Sequence, residues 1–331
     1  MSVPCLLILG KCPPPTGGVT IHVFRLVEHL KRADVKFYHS GLTPKEIGTS
    51  CFFILFRKYK LIHLHSSSPL LRFVMSFWCW LTRNRLAITY HGSLGRYGKM
   101  KNCFDYASLF FCRYPILLNE DSHKKALLIN NKSNLISAFF PPLDADPLDQ
   151  SLIDELTLLK KNFQVVFCTN AYDVTFDKYG NEIYSITDLV RIFNRLREAS
   201  LVISDQSGNY IKYLRDSGCR ISRNIKFITN HHSFVEIIKL TDCMIRATTT
   251  DGDSISVKES LYFATPVIAS DCISRPPGVI LYNSGDMNDL FEKIIKLIFQ
   301  VKEGHNILPK TLKLDNTFHE LNKKIYTSLG L

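Results

Sequence analysis

One stretch of the chain gathers acids, a glycine and serines where a helix begins: "DGDSISVKESLYFATPVIASD", residues 251–271. Ala247 and Thr248–Thr250 leave a strand, and Asp251-Gly252-Asp253-Ser254 make a turn. Ser256 and Glu259 then have the spacing of a capping box, in which Glu259 reaches back to a backbone N–H. The same residues support a second chemistry. A helix N-terminus behind Gly252, Ser254 and Ile255 offers unpaired N–H groups and a positive dipole end, which suit a phosphate. Ionised Asp251 and Glu259 are acceptor-only groups and would take hydrogen bonds from hydroxyls beside it. Both readings stay open on local sequence.

Other residues could act nearby. Arg246 in "RATTTDGD" steadies either a phosphate or the loop itself. Lys178-Tyr179-Gly180 comes after the strand "FQVVFC" and offers a cation. Gly17 and Gly18 follow three prolines after the first strand, where a backbone could approach a ligand closely or simply turn. His91 ends the strand "LAITY", as either a reactive group or a satisfied polar residue. No metal site is visible: of the ten cysteines none forms a Cys-x-x-Cys pair, and most sit in apolar runs, as small buried hydrophobes of a reducing compartment do.

These residues must be positioned by a sizeable fold. The 331 residues are enough for two domains, and 46% hydrophobic with 21% charged residues is a globular composition. The net charge of +11 is uneven. Residues 1–150 hold 19 Lys and Arg against 9 Asp and Glu, and the remainder holds 22 against 21. A basic half meets nucleic acid, an anionic membrane or phosphorylated substrates, or is merely solvated. Basic-aromatic interleaving, helix-turn-helix and zinc-finger spacings are lacking, so nucleic acid is not the expected partner. The longest apolar stretch, "PLLRFVMSFWCWL" (69–81), is interrupted by Arg72 and too short to span a bilayer. It reads as a core-facing helix before a buried strand; the alternative is that Phe73, Phe77, Trp78 and Trp80 touch a membrane interface. "MSVPCLLILG" reads as a first strand, not a signal peptide.

Strand and helix signals alternate throughout, which predicts α/β with parallel sheets. "CLLILG" leads to the helix "VTIHVFRLVEHLKR", with Ile21, Phe24, Val27 and Leu30 recurring every three residues. Strands follow at "VKFYH", "LIHLH", "LAITY", "PILLN" and "NLISAFF", and "PPLDADPLDQ" (141–150) reads as a linker. A second α/β series runs to "MNDLFEKIIKLIFQ" and a terminal helix "FHELNKKIYTSLGL". The expected fold is two doubly wound Rossmann-like domains, 1–150 and 151–312, facing a cleft, with residues 313–331 packing back on the first. Ligands in such sheets bind at the carboxyl ends of the strands, where strand order reverses.

The opening stretch resembles the signature segment of the retaining glycosyltransferases of family 4, which have the GT-B fold. There a Glu, seven residues and a second Glu precede an apolar helix and a Gly/Ala-Thr-Pro-Val-Ile-Ala-Ser strand, so an Asp in the first place is a departure. Here Asp251, Glu259 and "ATPVIAS" (264–270) take those places. The resemblance implies that Glu259 holds the ribose of a nucleotide and Asp251 faces the transferred sugar. The backbone around Ser254 and Ile255 would cradle the diphosphate, with Gly252 and Asp253 as further substrate-binding residues. It extends along nearly the whole chain: "PPPTGGVTIHV" matches the Gly-rich loop, "LAITYHGS" places His91 near the reacting sugar, and "NTFHELNKKIYTSL" matches the closing helix. Asn170-Ala171 stand where the family usually has Gly-Arg, with Lys178 as the matching lysine. "DGD" has the spelling of a metal-binding Asp-x-Asp motif, but it opens a helix in the second domain and reads as turn and sugar chemistry. The implied enzyme is a retaining, metal-independent hexosyltransferase. Its co-substrate is a UDP- or GDP-linked sugar, with no cofactor. Its acceptor is a lipid-linked oligosaccharide or polysaccharide of O-antigen, capsule or lipopolysaccharide synthesis. A cytoplasmic enzyme peripheral to the inner face of the plasma membrane is expected, with Lys99, Lys101, Arg113, Lys124 and Lys125 meeting the anionic surface. The alternatives are a nucleotide-sugar epimerase and a non-catalytic GT-B-like saccharide-binding subunit.

Overall fold

The computed structural model describes residues 6–14, 17–143, 147–304 and 317–327. The chain divides into two compact units, Met1–Leu143 with Asp315–Leu331, and Asp144–Leu314. The division falls at the start of the Pro/Asp-rich segment, of which residues 144–146 lie outside the described residues, as do 313–316 and 328–331 of the expected terminal helix.

Unit 1 is a six-stranded parallel sheet. Its strands are β1 (Leu6–Leu9), β2 (Phe37–Ser40), β3 (Leu61–His65), β4 (Leu86–Tyr90), β5 (Tyr114–Leu117) and the two-residue β6 (Asn134–Leu135). Only that pair of the expected strand "NLISAFF" joins the sheet, in the order β2-β1-β3-β4-β5-β6. β1, β3 and β4 are buried throughout, which explains why they read as continuous apolar runs rather than alternations. α1 (Gly18–Arg32) covers one face with the terminal helix α12 (Thr317–Leu321) and the π-helical turn Asn322–Tyr326. α2 (Pro44–Leu55), α3 (Pro69–Leu81), α4 (Lys99–Phe111) and α5 (Glu120–Leu127) cover the other. The core face of α1 is Val23, Leu26, Val27 and Leu30; Phe24, expected inside, is exposed. A strict three-residue repeat drifts around a 3.6-residue helix, by about 180° between Ile21 and Leu30, so it cannot mark one face.

Unit 2 repeats the plan. β7 (Val165–Ala171), β8 (Ala199–Asp205), β9 (Ile225–Ile228), β10 (Cys243–Arg246), β11 (Val267–Ser270) and β12 (Ile280–Tyr282) form a parallel sheet in the order β12-β11-β10-β7-β8-β9. Numbered from the unit's first strand, this is the 3-2-1-4-5-6 order of the Rossmann fold, and it reverses between β7 and β10. α7 (Ile186–Phe193), α8 (Asn209–Asp216) and α11 (Met287–Lys302) pack one face, and α6 (Gln150–Asn162), α9 (Phe234–Leu240) and α10 (Ile255–Tyr262) the other.

Candidate functional site

In unit 2 the sequence-predicted residues converge where the strand order reverses. Arg246 is the last residue of β10, and its Nη1 donates to Asn170 Oδ1 near the end of β7, at 3.3 Å. It therefore spans the switch point and brings a guanidinium to the strand end where the family arginine would stand. Its Nε and Nη2 donate to the two oxygens of Asp251, at 3.2 and 3.5 Å, and its guanidinium carbon lies 5.4 Å from the centre of the Tyr184 ring. A second guanidinium, not foreseen in the sequence, closes the group. Arg275 Nη1 donates to Asp251 Oδ2 at 3.0 Å, while its Nε donates to the Ser270 carbonyl at 3.0 Å. Burial would raise the Asp251 carboxyl, but Arg246 and Arg275 more than offset it and hold the group down at about 2. Asp251 is thus a carboxylate shared by two cations, with one of its oxygens also accepting from the Gly252 N–H at 3.0 Å.

The helix that follows starts earlier than the capping-box spacing implies. Ser254 is the N-cap of α10, it makes no side-chain cap bond, and Ser256 lies within the first turn. The residue three beyond the true cap is Val257, so the Ser256–Glu259 box does not form. Asp253 pairs with Lys258 at 2.6 Å across the helix start, and Glu259 is buried one turn further in. The N-terminus of α10 therefore presents N–H groups without a cap from the Ser254 side chain, beside two buried arginines. Lys178 sits apart from this buried group, at the exposed tip of a turn held by Asp177, which accepts from the Tyr179 and Asn181 N–H groups. Its ammonium lies 4.9 Å from the Tyr179 ring centre. The same turn ties back to the strand end through Thr249 N–H donating to the Ile183 carbonyl.

In unit 1 the reversal lies between β1 and β3. Gly17 is the N-cap of α1, where its N–H donates to Thr20 Oγ1 at 2.9 Å, and Gly18 is the first helical residue. A Cβ at Gly18 would meet nothing within 4 Å. At Gly10, the end of β1, one would stand 2.8 Å from Val23 and 3.2 Å from the His65 Cβ, so only glycine lets β1, α1 and β3 close this tightly. That closeness assembles a histidine cluster. His91 shares a 3.2 Å hydrogen bond with His65 Nδ1, and the ring centres of His22 and His91 are 4.8 Å apart. His22 Nδ1 donates to the Ala138 carbonyl. Burial, then the neighbouring imidazoles and Arg72, hold His91 far below the ordinary histidine range, and burial does the same to His65. His65 and His91 are neutral at pH 7 and share a hydrogen bond rather than charge. One nitrogen from each of His22, His65 and His91 falls within 4.8 Å of the others, so among the described residues this set could hold a transition metal. Of the three, the sequence pointed only to His91; the alternation in "LIHLH", which sends His63 and His65 to one face of β3, was the available signal for the rest.

No protein-family model matches the chain, and no curated protein does. Solved structures match over nearly all of it. Anabaena HepE in complex with UDP and glucose superposes with a TM-score of 0.71 at 11% identity, covering 98% of this chain and 97% of that one. The apo lipopolysaccharide outer core galactosyltransferase WaaB gives 0.60 at 12% identity, over 98% and 99%. Staphylococcus aureus MnaA with UDP gives 0.62 at 11% identity, over 98% and 96%. At these identities the likeness is one of fold, and the fold is the pair of doubly wound Rossmann-like units of the GT-B class.

Proposed function

We propose that this chain is a glycosyltransferase that takes a sugar from a nucleotide diphosphate. The observation that carries the reading is the switch point of unit 2, where Arg246 bridges β7 and Asp251 beside the N-terminus of α10. Breaking an anomeric C–O bond drives negative charge onto the leaving phosphate. Preorganised N–H groups, a helix dipole and guanidinium charge stabilise that charge where it develops. Gly252, Asp253, Ser254 and Ile255 cradle the diphosphate, with Lys178 as an added cation. Glu259 takes the ribose hydroxyls and Asp251 faces the sugar. Arg246 and Arg275 do the charge-balancing that the family arginine would have done at Asn170-Ala171, so the chemistry needs no metal. Gly17, Gly18 and His91 serve the sugars in unit 1, with His91 acting as a neutral imidazole.

The resemblance to family 4 supports retention of configuration. HepE is described with UDP, with UDP-glucose, and with UDP and glucose, which supports a UDP-linked hexose rather than a GDP-linked one. The likeness to an outer core galactosyltransferase supports a role in O-antigen, capsule or lipopolysaccharide synthesis on a lipid-linked acceptor, at the cytoplasmic face of the plasma membrane. The test is hydrolysis and transfer from a panel of UDP- and GDP-sugars by wild type, Glu259→Ala and Lys178→Ala. One donor should be turned over, and each variant should lose about a hundredfold or more in rate. Equal background rates in all three would point instead to a non-catalytic saccharide-binding subunit.

A further inference from the structure

Two helices of unit 1 carry an apolar face that looks outward as well as one that packs inward. On α3 the residues Leu70, Phe73, Val74, Phe77, Trp80 and Leu81 recur at helical spacing and form the outer face, with Trp80 55% exposed. The inner face carries Met75 and Cys79 together with Arg72, 3% exposed, and Ser76. On α4 the outer face is Met100, Phe104, Phe110 and Phe111, with Phe110 67% exposed, and the inner face carries Leu109 with Asp105 and Ser108. The polar inner residues satisfy one another. Arg72 Nε donates to Asp105 Oδ1 at 2.9 Å, and Ser108 Oγ shares a 2.7 Å hydrogen bond with Tyr90 Oη. α3 faces the core through Met75 and Cys79, with Leu71 and Trp78 packed against them, as expected, while Phe77 and Trp80 turn out. Arg72, which breaks the apolar run, is an inward residue because Asp105 waits for it.

The outer rings are continuous. Phe111 lies 5.3 Å from Phe77 and 5.2 Å from Trp80, and Phe73 lies 5.6 Å from Phe104. The face continues onto Leu127 and onto Leu128, 88% exposed, at the end of α5. At its edge opens a cavity of about 850 Å³ with Arg83, Arg85, Arg113 and Lys132 in its wall beside Trp80 and Leu128, and among the described residues no acid lines it.

We propose that this face seats unit 1 on a bilayer surface rich in anionic phospholipid. The α3 and α4 rings enter the boundary between headgroups and acyl chains, and the four cations hold lipid phosphates in the basin. Apolar rings flanked by Arg and Lys are the composition of an in-plane interfacial element. Neither helix can do more, since no helix of the described residues is long and apolar enough to cross a membrane. A second copy of the chain fits the face poorly, because a two-fold contact through it would set the same cations against themselves. The proposal goes beyond the donor reading and stands on unit 1 alone.

The test is co-flotation of the full chain with vesicles of phosphatidylcholine alone and of phosphatidylcholine with phosphatidylglycerol, at low and high salt. Wild type should float with the anionic vesicles at low salt, with a blue shift of tryptophan emission. Trp80→Ser and Phe110→Ser should each weaken binding about tenfold. Arg83→Glu and Arg113→Glu should each weaken it at least about fivefold and flatten its salt dependence. All four side chains are at the surface, so melting curves should match wild type. The proposal is overturned if wild type ignores the anionic vesicles or if the variants bind as well as it does. It is equally overturned if inorganic phosphate alone reproduces the emission shift, or if the apolar variants instead abolish a lipid-free dimer. Nucleotide-sugar binding, titrated on the same samples, reports on the donor reading separately.

Discussion

Asp251 is held by two guanidiniums, and that pairing makes unit 2 sensitive to acid in a narrow window. Its carboxyl lies near 2 in the folded chain against an ordinary 3.8, so the folded state gains stability above about pH 4 and loses it as pH falls toward 2. The shift corresponds to about 2 kcal/mol. Asp251→Asn should therefore cost about 2 kcal/mol or more at pH 7, and the difference from wild type should shrink below pH 4. Both tryptophans lie in unit 1, so the urea midpoint to read is that of the phase silent in tryptophan emission. Asp251 and Glu259 were legible in the sequence because two acids flank a helix start in a basic chain. Arg275 was not: "SRPPG" has no spacing that points anywhere, and its place beside Asp251 comes from β11 ending at Ser270, whose carbonyl it grips. The arginine that bridges to Asn170 was visible as a residue but not as a bridge, since only the parallel pairing of β10 with β7 brings the two together.

α10 shows what a helix leaves legible and what it hides. Its existence and the strand after it followed from the apolar pattern, but its first residue did not, because Ser254 and Ser256 are both plausible caps and only the turn at Gly252-Asp253 decides. Its other end is a Schellman motif, with Ala264 N–H donating to the Leu261 carbonyl and Thr265 N–H to the Ser260 carbonyl. Ala264 sits there at φ 58°, a left-handed conformation that costs an L-residue roughly 1 kcal/mol relative to glycine. Ala264→Gly should raise the stability of unit 2 by about 1 kcal/mol, read as a higher denaturant midpoint with an unchanged slope. A lower midpoint would mean that the alanine methyl is needed for packing. α3 is apolar on both faces, so periodicity located the helix without separating the residues that meet the core from those that turn out.

Across the whole molecule the two units should answer acid differently. His63 and His65 are buried in unit 1 and His91 is half-buried; desolvation holds His63 down to about 3 and the other two well below the ordinary 6.5. Each binds a proton only after unfolding, so each contributes stability above pH 6.5 that is lost as pH falls, at up to about 1.4 kcal/mol per pH unit. Unit 1 should open between about pH 6 and 4, before the Asp251 window of unit 2 is reached. Tryptophan emission should then change ahead of the helical circular dichroism of unit 2, and coincident transitions would argue against it. The alternation of strands and helices made the two-unit plan readable in the sequence, but the desolvation of these histidines was not, because a lone His at a strand end looks the same wet or dry.

The central claim is that the start of α10, with Arg246 and Glu259, seats a sugar nucleotide. Calorimetric titration of UDP-hexoses into wild type and Glu259→Gln tests it most directly. Saturable binding to wild type at one site, weakened about tenfold or more in Glu259→Gln with an unchanged melting curve, is the predicted result. Absence of any heat for UDP, GDP or their sugars, or identical affinity in the two proteins, would contradict it.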